Sequence, residues 1–160
     1  MKKILLIIIL FLSTTNLSAN DRDHELDKLF LELKKNIPSL SARVAQQIWI
    51  LWSTHPTDQK LTSILDEGSR LIQDQQLNRA INVFSEAIKL DPTWAEAWNK
   101  RATVFYMVGE FEKSQDDIDK VLELEERHFG ALAGQGMVNI QLKNYDKAKR
   151  SYQKAQEIYP

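Results

Sequence analysis

The chain has 160 residues, of which 27% are charged and 43% hydrophobic, and its 21 Lys and Arg nearly balance its 22 Asp and Glu, for a formal net charge of −1. That balance excludes the basic surplus of a nucleic-acid or anionic-lipid binder. The absence of cysteine excludes a disulfide framework and a lipid-modified N-terminal thiol, so a packed core must supply the stability of what is, by length, one ordinary domain.

Residues 1–19 read as a signal peptide. Lys2 and Lys3 form a cationic head, Ile4 to Leu12 is an unbroken apolar run, and Ser13 to Ala19 is small and polar. The run is less than half of the roughly 20 apolar residues a spanning helix needs, so cleavage after Ala19 is expected rather than retention as an anchor. Leu17 is larger than the small residue usually preferred near such a cut. The expectation is therefore a periplasmic or secreted protein with no stable membrane insertion after cleavage.

Residues 20–56 predict a helical hairpin. Leu26, Leu29, Phe30 and Leu33 recur at helical spacing until Asn36-Ile37-Pro38, because proline disfavours the helical conformation of the residue before it. A second helix, with Ser39 or Ser41 as its cap, carries the stripe Val44, Ile48, Leu51 and Trp52 and ends at His55-Pro56. This hairpin is expected to act as a degenerate repeat or cap over the apolar side of the helices that begin near residue 61.

From residue 61 onward the sequence repeats every 34 residues. Gly68, Ala102 and Gly136 fall in register, as do Ala80, Ser114 and Ala148, then Phe84, Ile118 and Tyr152, then Ala87, Val121 and Ala155. Small residues return where two helices cross closely and bulky ones where a core needs filling, the mark of a stacked helical-hairpin array. The spacing predicts helices over 61–74 and 78–90, 95–108 and 112–124, and 129–142 and 146–158. Asp91-Pro92, Gly109-Glu110 and Pro160 mark turns, and strand-like alternation is absent.

These residues resemble the tetratricopeptide repeat (TPR) family. Trp98, Ala102 and Phe105 match the first helix of its pattern; Ala80, Phe84, Ala87 and Pro92 match the second; Gly136, Ala148, Tyr152, Ala155 and Pro160 match in the last repeat. Asn139, Ser114 and Glu126 depart from an aromatic, an alanine and a proline. The resemblance implies an all-α, right-handed superhelical stack of helical hairpins (an α-solenoid), with repeats at 61–94, 95–128 and 129–160. Together with the leader and the 20–56 hairpin, it is similar to small exported repeat proteins of proteobacteria. The face that would meet a fourth repeat turns polar, since Ile88 and Leu122 give way to Gln156, and Ile81 and Gln115 to Lys149, so the third repeat is expected to cap itself.

Catalytic chemistry finds no foothold in the sequence. His24, His55 and His128 lack the spacing of a zinc pair and read as surface or turn residues, and the acidic group Asp116, Asp117, Asp119, Glu123, Glu125 and Glu126 reads as a solvated convex helix face. Neither enzymatic activity, a cofactor nor a metal is expected. The candidate site is the concave groove, lined in this architecture by the first helix of each repeat: Leu65, Ser69, Ile72 and Gln73, then Asn99, Lys100, Thr103, Tyr106 and Met107, then Ala133, Met137, Ile140 and Gln141. Ile72, Asn99, Lys100, Thr103, Tyr106, Met107, Met137 and Gln141 are the predicted partner-binding set, for a protein or peptide segment. Some family members clamp a chaperone's C-terminal carboxylate with Lys, Arg and Asn, but here those places hold Leu65, Ser69, Gly130 and Gly134, with Lys100 the one base. A scaffold or binding module is thus expected, a monomer with a homodimer as alternative. The competing reading is a structural or self-assembling envelope subunit that uses Trp49 and Trp52 as a contact.

Overall fold

The computed structural model describes residues 19–160, with side chains from residue 21, so the signal sequence lies outside the described residues up to residue 18. Among the described residues eight helices follow one another: α1 (Ala19–Leu33), α2 (Pro38–Ser53), α3 (Gln59–Gln73), α4 (Leu77–Leu90), α5 (Ala95–Met107), α6 (Phe111–Leu124), α7 (Phe129–Gln141) and α8 (Tyr145–Ile158). The described residues contain no strand. Helices α3 to α8 form three antiparallel hairpins stacked side by side, an all-α solenoid.

Local chemistry explains where the helices begin and turn. Pro38 occupies the first turn of α2, where its missing N–H costs nothing, and Ile37 is the capping residue. Neither expected serine caps this helix; Ser41 instead donates its hydroxyl back to the Ile37 carbonyl at 3.0 Å. Asp58 caps α3 by accepting from the Lys60 N–H at 2.8 Å. Within each repeat the turn uses one left-handed residue, Gln75, Gly109 or Lys143, at φ of 58°, 83° and 60°. These three are in register, and behind each the next N–H reaches back five residues: Gln76 to Leu71, Glu110 to Phe105 and Asn144 to Asn139. That bond closes the helix end in the Schellman manner, and it uses glycine in the middle repeat alone.

Inside each hairpin the periodic pairs are matched in size. Gly68 lies against the Phe84 ring, where an added Cβ would come within 2.3 Å, and Gly136 lies against Tyr152, at 2.6 Å. In the middle repeat both partners change, Ala102 packing in the same core as the smaller Ile118. Between hairpins a polar ladder repeats as well. Arg101 on α5 bonds back to Ser85 on α4 and forward, through two guanidinium nitrogens, to Asp117 on α6; 34 residues on, Gln135 bonds Asp119 and Ser151 in the same way. Burial pushes the Asp117 carboxyl up, and the hydrogen bonds and charge of Arg101 pull it back without fully offsetting that.

The N-terminal hairpin does not cover the first repeat, contrary to the sequence expectation. The reason lies in α3, where Ser63, Glu67 and Arg70 stand 34 residues before Ala97, Arg101 and Val104 of α5 and are all exposed, so that the first repeat has no apolar end to hide. The hairpin runs instead along the row of turns between repeats and shares a core with Phe129 and, at the far end of the chain, Ile158 and Tyr159. Trp52 is 2% exposed and stacks on His128 at 3.9 Å between ring centres, and Trp94 donates its indole N–H to the Trp52 carbonyl at 2.9 Å. Trp94 and His128 are equivalent positions one repeat apart, so α2 spans two successive turns. Trp49 meets Trp52, His128 and Phe129 edge-on. The two tryptophans are thereby engaged within the chain, which removes the exposed aromatic seam expected for self-assembly.

Candidate binding cleft

A cleft of about 370 Å³, counting its open mouth, lies between α5 and α7 on the concave side. Its walls combine Asn99, Ala102, Thr103 and Tyr106 of α5, Ser114 and Ile118 of α6, and Gly130, Ala131, Gly134, Met137 and Val138 of α7. Helical periodicity sets this face, because Asn99, Thr103 and Tyr106 succeed one another at four and three residues, as do Gly130, Gly134 and Met137. Of the predicted set, Asn99, Thr103, Tyr106 and Met137 are brought together here. Ile72 packs half-buried on the first repeat's core. Met107 is 42% exposed near the end of α5, and Gln141 is exposed at the last position of α7; neither lines the cleft. Leu65, expected in the groove, is buried in the core instead.

Lys100 does not face the cleft as a free cation. Its Nζ lies 3.3 Å from Oε1 of Glu96, whose side chain is fully buried. Oε2 of the same carboxylate accepts from the Asn99 amide and from Nε2 of His128, each at 3.0 Å. His128 is the cap of α7, its Nδ1 accepting from the Ala131 N–H at 3.0 Å, so the ring proton sits on Nε2. His55 repeats the arrangement: Nδ1 accepts from the N–H groups of Thr57 and Asp58, and Nε2 donates to Asp91 at 2.8 Å. Both histidines occupy turns as expected, but both are buried rather than on the surface, each ring accepting from backbone N–H groups of its turn.

A further ionic contact ties the hairpin to the array, and a hydrogen bond closes the hairpin on itself. Arg127 bridges Glu125 at 2.8 Å and Asp27 at 2.6 Å and lies over the Phe30 ring, and its hydrogen bonds with Glu125 hold the guanidinium above its ordinary value against the effect of burial. Arg22 donates to the Leu51 carbonyl at the end of α2. The acidic group read as a solvated face is thus divided: Asp117 is buried on Arg101 and Glu125 half-buried on Arg127, while Asp116, Asp119, Glu123 and Glu126 stay exposed. Among the described residues no three His, Cys, Asp or Glu side chains are placed to hold a metal ion.

Known proteins are similar to this chain in sequence and in shape. A TPR repeat profile matches residues 68–109, and a tetratricopeptide repeat profile matches residues 129–160. A TPR repeat-containing protein of Rhizobium etli is 32% identical over 144 residues, spanning 89% of this chain and 70% of the relative. The chain belongs to the tetratricopeptide repeat family. The TPR resemblance extends to Hsp70-Hsp90 organizing protein 3 of Arabidopsis thaliana, 28% identical over 88 residues, though these are only 16% of that protein's length. Among solved structures, the second TPR of Spaghetti (RPAP3) bound to HSP90 peptide SRMEEVD superposes with a TM-score of 0.61 at 21% identity, over 62% of this chain and 93% of that one. A crystal structure of MamA superposes with a TM-score of 0.58 at 20% identity, over 86% and 78%. These likenesses establish the fold.

Proposed function

We propose that this TPR protein is a non-catalytic, exported binding module that holds a peptide or protein segment in its concave groove. The observation that carries the reading is the open α5–α7 cleft, whose walls expose Met137, Thr103 and Tyr106 on a scaffold otherwise closed at both ends by polar faces. A neighbour of the same fold was solved with a peptide bound, which supports the use of such an array for recognition. Export is supported by the leader over residues 1–19, and no helix among the described residues is long and apolar enough to cross a membrane.

In-cell photo-crosslinking tests both parts. A photoreactive residue at Thr103 or Met137 should trap a partner in the periplasmic fraction, on a chain whose N-terminus is residue 20, while one at Asp116 on the outer face should not. Equal trapping at all three positions, or a cytosolic chain retaining Met1, would contradict the reading.

A further inference from the structure

The polar side chains that line the cleft are Asn99, Thr103, Tyr106 and Ser114, and of these the hydroxyls of Thr103 and Ser114 already donate within the protein. The Thr103 hydroxyl is engaged by the Asn99 backbone carbonyl at 2.9 Å, and the Ser114 hydroxyl by the Ala102 carbonyl at 2.8 Å. Asn99 is only 8% exposed, and its amide nitrogen faces a carboxylate, Glu96, that can only accept. That contact fixes the orientation of the amide, so its carbonyl oxygen, which no protein donor reaches, is left to the cleft it lines. On the wall of an open cleft, that oxygen is an acceptor that a ligand N–H can reach in place of water. No ionised side chain lines the cleft.

The two glycines shape the space differently. A Cβ on Gly130 would meet Trp49 at 2.5 Å, so the N-terminal hairpin already fills that side and closes one end of the groove. A Cβ on Gly134 would meet only Ile118 Cδ1, at 3.6 Å, which leaves a recess beside it floored by apolar side chains.

We infer that this recess is a socket for one uncharged apolar side chain, of leucine, methionine or phenylalanine type, from an internal stretch of a partner polypeptide, with Asn99 Oδ1 accepting that stretch's backbone N–H. The inference rests on the groove reading and specifies its ligand. It departs from recognition of an acidic chain end, because Lys100 is held by Glu96 and the recess would force a carboxylate to shed water without a cation to receive it. Apolar area supplies the affinity, and the Asn99 acceptor sets the direction of the bound backbone.

The test is a selection from a random 12-residue phage-displayed library on the intact protein, followed by binding of the enriched sequences as acetylated, amidated peptides. Enriched peptides should share one apolar anchor with uncharged neighbours. Gly134→Leu and Thr103→Trp, two cleft-filling changes at uncrowded positions, should each weaken binding at least tenfold with unchanged helicity and melting. N-methylation of one backbone amide beside the anchor should weaken it about tenfold, and methylation elsewhere much less. Enriched peptides that respond to cleft filling but need an acidic residue or a free carboxylate would overturn the socket while leaving the groove reading intact. Peptides indifferent to both substitutions, or no enrichment at all, would overturn both.

Discussion

The repeat array and the N-terminal hairpin are both helical, yet they are joined by different physics. Within the array contacts recur: Gly68 with Phe84 answers Gly136 with Tyr152, and the Ser85–Arg101–Asp117 ladder answers Asp119–Gln135–Ser151. The hairpin's contacts occur once, and they gather parts of the chain as distant as Asp27 and Arg127 around an aromatic cluster centred on Trp52 and His128. A periodic seam can be extended or ended by changing one face, whereas an aperiodic dock fixes one partner in one place. That is why the array ends in polar side chains at both sides, and why the hairpin lies along the turns.

The comparison breaks most severely in the core of the first repeat. Phe84 is fully buried, so Phe84→Ala should cost on the order of 3–5 kcal/mol and destabilise all three repeats, measured by urea or thermal unfolding. Trp52→Ala should cost about 3 kcal/mol, but at the dock: hydrogen exchange should quicken in α1 and α2 while α3 to α6 hold their protection. Uniform loss of protection after that change would mean that hairpin and array are one cooperative unit.

Subtler changes separate repeats from one another. Gly68→Ala forces a methyl into the wholly buried Phe84 ring and should cost about 1–3 kcal/mol, while Gly136→Ala meets Tyr152, 38% exposed and free to swing outward, and should cost clearly less. Equal melting losses would show the two pairs to be packed alike. Asp91 anchors the turn under the hairpin. Burial pushes its carboxyl up, but hydrogen bonds from Thr93 and His55 together outweigh this and hold it below its ordinary value. A lowered carboxyl stabilises the fold above the unfolded value of about 3.9 and ceases to do so as pH falls through the folded one. Asp91→Asn should therefore cost about 1 kcal/mol at pH 7, with the gap from wild type closing below about pH 4. Smallest in size, Gln75→Gly and Lys143→Gly should each raise stability by about 0.5–1 kcal/mol, because both residues hold a left-handed turn that Gly109 adopts without strain.

The array was legible because its chemistry is periodic. Each of its helices lies within two residues of where the 34-residue spacing puts it, and the graded outer face of α8 could be read from Lys149 and Gln156. The hairpin's placement was not legible, since nothing local in Trp49 or Trp52 names His128 as the ring they meet. The polar first face of α3 did carry a signal, in Ser63, Glu67 and Arg70 at core-facing register positions. The cleft was half legible: periodicity brings Asn99, Thr103, Tyr106 and Met137 to one side, but whether Asn99 offers its donor depends on Glu96, three residues away and buried. Gly130 and Gly134 were visible only as places lacking a base, although two glycines four apart on one helix already mark a recess.

Hydrogen exchange of the full chain with a saturating, tightly bound selected peptide tests most directly that this scaffold recognises its partner through the inner cleft. Added protection should fall on α5 and α7, around Asn99, Thr103 and Gly134, and leave the outer surfaces of α6 and α8 unchanged. Protection confined to α1 and α2, or to the outer helices, would contradict it.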